Sequence, residues 1–268
     1  MSPAMPAPMD VKLMNVTASA LFLVFAGLVL AALLGWAMRH PVFAIRGITV
    51  QGEVAHTNAV TLRANVMPQL SGSLFTLDLA QARSAFEALP WVRRAVVRRE
   101  FPNRLRVQLQ EQHTAAFWGA QDESLLVNNF GEVFEANVGE VEQENLPRLV
   151  GPDGQAAQTL RMYRELAPRF AALDATLDQL QLSASGGWRA TLDTGAVIEL
   201  GSGTAAELSA RVQRFALTLT QVASRYGRHV DALESADLRY AEGYALRLQG
   251  VSTLAAATSK TSNPQTHR

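Results

Sequence analysis

The sequence predicts an α+β membrane protein: a single transmembrane helix, then a β-α-α-β-β domain, then a distal antiparallel β domain with covering helices. Three observations carry this. Residues 16–38 hold no charged side chain. Residues 43–112 pass from strand-like alternation to two helical stripes and back to alternation, and residues 113–250 break into short alternating runs interrupted by two long amphipathic stretches. Residues 1–15 and 251–268 are tails without such patterning.

The apolar run reads VTASALFLVFAGLVLAALLGWAM, in which only Thr17 and Ser19 are polar. At helical rise it measures roughly 34 Å, enough for a hydrocarbon core of about 30 Å. Trp36 falls where an interfacial aromatic belt belongs. The residues from Leu33 to Arg39 offer no small-residue cleavage site, which argues against a removed signal peptide. The absence of any polar face argues against a buried core helix. Charge leaves the direction of crossing open, because Lys12 precedes the run while Arg39 and Arg46 follow it. Pro3, Pro6 and Pro8 mark the preceding tail as unstructured.

In the first soluble module Ile48 and Val50 alternate with polar neighbours up to Gly52, a strand and turn. Thr57 or Asn58 is placed to cap a helix carrying Val60, Leu62 and Val66, which Met67-Pro68 ends. Asp78 is placed to cap a second helix with Leu79, Ala82, Ala85, Phe86 and Leu89 on one stripe. Residues 92–99 form the next strand, Phe101-Pro102-Asn103 the turn, and Leu105, Val107 and Leu109 the apolar face of a third strand. The order of these elements, Trp91-Val92, and the run from Arg99 to Val107 resemble a POTRA domain, a module that commonly adds a partner's strand to its sheet edge. Arg93, Arg94, Arg98, Arg99, Arg104 and Arg106 form a basic cluster suited to anionic headgroups. Adjacent arginines alternate between strand faces, so a solvated sheet face split into two is the plainer reading.

From His113 the runs are shorter: 115–119, 125–127 and 131–134, with Asn128-Asn129 and Gly131 as turns. Residues 146–150 add an extended piece. A helix over 157–172 carries Leu160, Tyr163, Leu166 and Phe170, and a second over 205–226 carries Leu208, Val212, Phe215, Leu219 and Val222. Between them, 178–183, 188–192 and 196–200 alternate as a meander. The module closes with a strand at 235–240, a turn at 241–243 and a strand at 244–248. The tail beyond Val251 is polar and rich in Ser and Thr, and is expected to be disordered.

Composition removes several function classes. Net charge is zero, which gives no global electrostatic case for nucleic acid. The absence of cysteine excludes disulfides, thiolate catalysis and Cys-ligated zinc. His40, His56, His113, His229 and His267 are scattered without ligand spacing, so no metal site is expected. Gly201-Ser202-Gly203 lacks a phosphate-loop lysine and reads as a helix-entry turn. Glu132, Glu135, Glu140, Glu142 and Glu144 lie in loop-like sequence where solvation explains them. No catalytic residue, cofactor site or enzymatic activity is expected.

The Trp91–Val107 run, the strand-turn-strand at 126–134, Leu146-Pro147, and the closing segment with Asp237-Leu238-Arg239-Tyr240 and Gly243 together resemble the bacterial cell division family FtsQ/DivIB. The resemblance implies a cytoplasmic tail (1–15), a transmembrane helix (16–38), a POTRA domain (43–112), a β domain (113–250) and a disordered tail (251–268). It implies a single-pass protein of the cell inner membrane with its bulk in the periplasm, at the division septum. The implied role is a divisome scaffold that links early and late division proteins. It would bind FtsB and FtsL in the periplasm and help to control septal peptidoglycan synthesis. Other divisome proteins would be reached through the POTRA domain and membrane helix, and inner-membrane lipid through the anchor. In that family the closing strand receives a strand of FtsB. The matching positions here are Arg239 and Tyr240, Glu242 and Gly243 in the turn, and Tyr244, Leu246 and Leu248 along the strand. A terminal strand is also the natural sheet edge, and its unpaired backbone groups are a template for strand addition. Two positions depart from the family's pattern, Ser202 in place of an arginine and Leu248 in place of an aromatic. The alternative is a POTRA-containing factor for outer-membrane protein assembly or secretion, which predicts a β-barrel or several POTRA repeats.

Overall fold

The computed structural model describes residues 9–38, 40–52, 54–57, 59–70, 72–121, 123–141, 145–240 and 243–251. The chain divides into two compact units between Gln112 and His113, the first of which includes the N-terminal helix.

Helix α1 (Met9–Met38) is longer than the apolar run within it. No Gly or Pro interrupts 9–15, so extending a helix already nucleated costs little, and residues 9–15, expected as unstructured tail, are helical; residues 1–8 lie outside the described residues. Its stretch Leu13–Ala37 has the length and composition to cross a bilayer and is wholly unburied within the protein.

The first module is a three-stranded sheet in the order β1 (Gly47–Gly52), β3 (Arg104–Glu111), β2 (Val92–Glu100), with α2 (Ala59–Asn65) and α3 (Leu79–Glu87) between β1 and β2 in sequence. β1 runs parallel to β3 and β2 antiparallel to it. Asp78 caps α3 as its position predicts, accepting from Ala80 N–H (2.7 Å) and Gln81 N–H (3.3 Å). Leu105, Val107 and Leu109 face the helices and close the core with Val66, Leu74 and Phe86. Val60 does not join them. It is 76% exposed, because Leu62 and Val66, one turn apart, take the buried stripe of α2 and its edge.

The basic cluster is less divided than alternation alone suggests. Register places Arg94 opposite Gln110, Arg98 opposite Arg106 and Glu100 opposite Arg104, all on the exposed side of the sheet. Glu100 offsets these four arginines there through its contact with Arg106 Nη2 (2.5 Å). Arg99 turns the other way and acts as a clamp. Its guanidinium donates Nε–H to Leu74 O (2.5 Å) and Nη2–H to Leu77 O (2.8 Å).

The second module is a nine-stranded sheet formed by β4 (Thr114–Trp118), β5 (Leu125–Asn128), β6 (Val133–Glu135), β7 (Arg148–Val150), β8 (Leu177–Leu182), β9 (Trp188–Leu192), β10 (Val197–Gly201), β11 (Leu233–Asp237) and β12 (Ala245–Leu248). Their order across the sheet is β12-β11-β10-β9-β8-β7-β4-β5-β6. The α+β class stands, but the sheet is mixed rather than antiparallel. β4 with β7, β7 with β8, and β10 with β11 are parallel. Helix α4 (Ala156–Ala171) connects β7 to β8 and α5 (Ala205–Arg225) connects β10 to β11, and such crossovers return the chain in the same direction. Both helices lie on one face, where Leu160, Leu166, Phe170, Leu208, Val212, Phe215 and Leu219 meet Leu149, Leu180, Ala190 and Ile198. The other face carries Gln181, Arg189 and Glu199 and is solvated, as a sheet covered on one side should be.

Candidate functional site

The closing segment begins on β11, where Leu233 and Ala236 enter the core. The strand expected to reach Tyr240 ends at Asp237. One further backbone bond, Leu238 N–H to Glu199 O (2.8 Å), ties the chain to β10 before it turns away. The turn is held by Asp237. Its carboxylate accepts the Arg239 backbone N–H (3.1 Å), Nε–H (2.9 Å) and Nη2–H (2.6 Å). The hydrogen bond from the Arg239 guanidinium holds the Asp237 carboxyl below its usual range against the opposing effect of burial, and the same bond pushes Arg239 further up.

Arg239 lies across the end of β10 because Gly201 is there. Gly201 has φ +76°, and a Cβ on it would meet Arg239 Cγ at 2.9 Å. Beside it Arg211, from α5, donates through Nη1 to Leu200 O and to Ser202 O, both at 2.9 Å. The Arg211 guanidinium therefore reaches the backbone at Ser202, while the aliphatic part of Arg239 covers the neighbouring Gly201. The helix-entry reading of 201–203 holds, since Thr204 and Glu207 form a reciprocal capping box at the start of α5.

The residues that follow separate by environment. Tyr240 is 59% exposed. Tyr244 turns onto α5, its hydroxyl 2.7 Å from Thr218 Oγ1 and its ring edge-on to Phe215 at 5.1 Å. Gly243 is exposed, and Glu242 lies outside the described residues. Between α5 and this segment is a groove of about 270 Å³, lined by Phe215, Leu217, Leu238, Tyr240 and Tyr244 among others. Leu217 stands 74% exposed at its rim.

β12 then pairs with β11 alone, Ala236 opposite Leu246 and Asp237 opposite Ala245, and it ends the sheet order. Among the described residues its outer edge has no strand partner. The side chain of Leu248 is a correction to the expected contact set: it is 3% exposed and belongs to the core, so only its backbone remains at the edge. Leu246 is half-buried, and Arg247 points outward and pairs with Glu234 at 2.7 Å. Sequence reasoning named Arg239, Tyr240 and Tyr244 but missed Asp237 as the holder of Arg239, and Arg211 and Leu217 as residues of the same groove. The Asp-x-Arg spacing was a usable signal for the first, whereas an exposed leucine on an amphipathic helix gives none. Among the described residues no group of three or more His, Asp or Glu side chains is placed to hold a metal ion.

The first module matches the family model for the POTRA domain, FtsQ-type, over residues 43–112, and the second matches that for cell division protein FtsQ/DivIB, C-terminal, over residues 116–239. The chain is 40% identical to the cell division protein FtsQ of Thiomonas arsenitoxydans, over 96% of this chain and 93% of that one. It is 40% identical to that of Burkholderia pseudomallei, over 90% and 94%, and 35% identical to that of Bordetella pertussis, over 89% and 92%.

Proposed function

The chain belongs to the FtsQ/DivIB family of cell division proteins, and on that premise we propose that it is a non-catalytic scaffold of the divisome whose β12 edge receives a strand from FtsB, with FtsL in the same complex. It sits in the inner membrane at the septum with its N-terminus in the cytoplasm and both modules in the periplasm. It links early to late division proteins and helps to control septal peptidoglycan synthesis, and its POTRA domain and membrane helix contact further divisome members. The observation that carries the reading is the outer side of β12, unpaired among the described residues and set beside exposed Arg239 and Tyr240. Strand addition supplies affinity through the backbone, and a protruding tyrosine next to a guanidinium supplies the side-chain anchor from which binding hot spots are built. The groove behind Tyr240 has room for one apolar side chain of the incoming partner. The matching POTRA model is the FtsQ type, which gives the outer-membrane assembly alternative no separate support.

Co-purification of FtsB and FtsL with the full chain from membranes tests this. Tyr240→Glu is expected to weaken capture by about 30-fold or more, as loss of a hot spot does. Gln213→Glu, on an exposed face of α5, is expected to leave it unchanged. Full capture by the Tyr240 variant sinks the edge as the binding site. A functional fluorescent fusion that fails to gather at midcell sinks the septal assignment.

A further inference from the structure

The first module exposes a set of aromatic rings close to where the chain leaves α1. Three stretches far apart in sequence meet there. Leu74 N–H donates to Phe43 O (2.7 Å) and Ala44 bridges Ser73, so the exit from the helix is tied to the loop before α3. Arg46 N–H donates to Asn103 O (2.9 Å), tying the same exit to the β2–β3 turn. The Arg99 clamp on Leu74 O and Leu77 O joins that turn to the loop. These bonds fix Phe43, Phe75 and Phe101 as an edge-to-face series, with centroids 4.9 Å and then 5.7 Å apart. Such a stack belongs in a core, yet Phe101 is 66% exposed, Val42 48% and Phe75 37%. Contiguous apolar surface on a backbone this well tied marks a place where something other than water is met.

Continuity of the chain says what covers it. The membrane-crossing stretch ends at Ala37, and His40 N–H donates to Ala37 O (3.1 Å) and Phe43 N–H to His40 O (3.0 Å). Each of these bonds closes a turn that advances about 6 Å, so Phe43 lies at most about 12 Å from Ala37. The polar layer of one leaflet is about 5–8 Å thick, and a 25-residue span already overruns the hydrocarbon. Trp36, 66% exposed and edge-on to His40 at 5.2 Å, is the side chain that favours this boundary. Phe43 therefore lies between headgroup depth and about 10 Å above the polar layer, within reach of the interface for side chains that project from the module towards it. Arg46 and Arg104 are exposed beside the rings, and Arg104 runs along Gly47.

We propose that Phe101 and Phe75, backed by Phe43 and Val42, form an interfacial foot through which the first module rests on the bilayer, with Arg46 and Arg104 meeting the phosphates of anionic phospholipid. The foot holds the module in one orientation on the membrane. It rests on α1 crossing a bilayer and not on the β12 reading.

The chain has no cysteine, so Phe101→Cys and Gln110→Cys each accept one nitroxide label. Gln110 is exposed on the same sheet, six residues along β3 from Arg104, where the β2–β3 turn ends. The labelled full-length protein is reconstituted in phosphatidylethanolamine and phosphatidylglycerol liposomes, and Leu28→Cys, at mid-helix, reports insertion of α1 separately. The label at 101 is expected to be about fivefold less accessible to a water-soluble nickel chelate than the label at 110, and more accessible to oxygen. Adding Phe75→Ser to the 101-labelled chain is expected to remove that difference. Equal accessibility at 101 and 110 with α1 inserted, or no response to Phe75→Ser, overturns the foot.

Discussion

Phe215→Ala is expected to destabilise the second module by about 3–5 kcal/mol, the usual cost of emptying a fully buried aromatic site. Phe215 has no exposed surface and sits on the face of α5 that covers the sheet, between Val212 and Leu219. The site cannot collapse cheaply, because α5 is fixed at its start by the Thr204–Glu207 box and along its length by its other buried side chains. For a module of this size the midpoint should fall by about 10 °C or more. Trp118 and Trp188, 5% and 2% exposed in the same core, report the transition by fluorescence. Leu217→Ala, two residues away but 74% exposed, is expected to change stability by no more than about 0.5 kcal/mol. If the two variants melt together, the packing of α5 described above is wrong. Phe215→Ala also removes the ring that Tyr244 rests on, so partner capture should fall in the variant even below its melting point.

Glu111→Gln is expected to cost the first module about 2–4 kcal/mol, because a buried acceptor becomes in part a donor. Glu111 is 3% exposed at the end of β3. One carboxylate oxygen accepts Ala55 N–H (2.9 Å) and His56 N–H (3.2 Å), and the other accepts Thr57 N–H (2.9 Å). This side chain holds the loop that leads into α2. Thr57, one of the two expected cap residues, is buried with its N–H bound to Glu111, and Asn58, the other, lies outside the described residues. Burial pushes the Glu111 carboxyl up, but hydrogen bonds from the Thr57 side chain and from the His56, Thr57 and Ala55 N–H groups outweigh it, and the net direction is below 4.5. A carboxyl depressed on folding contributes stability that is complete above its unfolded pKa and is lost as pH falls through the folded value. The difference between the parent chain and Glu111→Gln should therefore be full at neutral pH and shrink only below about 4.5. Hydrogen exchange of the 54–57 segment and the fluorescence of Trp91, stacked on His56 at 4.1 Å, follow it. A difference that stayed undiminished as the pH was taken well below about 4.5 would contradict the assignment.

Periodicity and local chemistry are short-range properties, and what they govern was legible in the sequence. The uncharged run, the β-α-α-β-β order, the Asp78 cap, the two amphipathic helices and the existence of a closing strand all depend on residues within a turn or two of one another. The tertiary structure alone decided which strands are neighbours. That β12 ends a nine-stranded order, that three pairings are parallel, and that Leu248 faces the core while Tyr240 faces solvent follow from pairings between segments distant along the chain. The same holds for Asp237 and Gly201 around Arg239, for Glu111 beneath the 55–57 loop, and for Phe43, Phe75 and Phe101, whose separate residues carry no local sign of meeting. Pattern specifies a face, because a side chain's direction repeats with the local backbone; a neighbour is specified only when the whole chain has closed its cores.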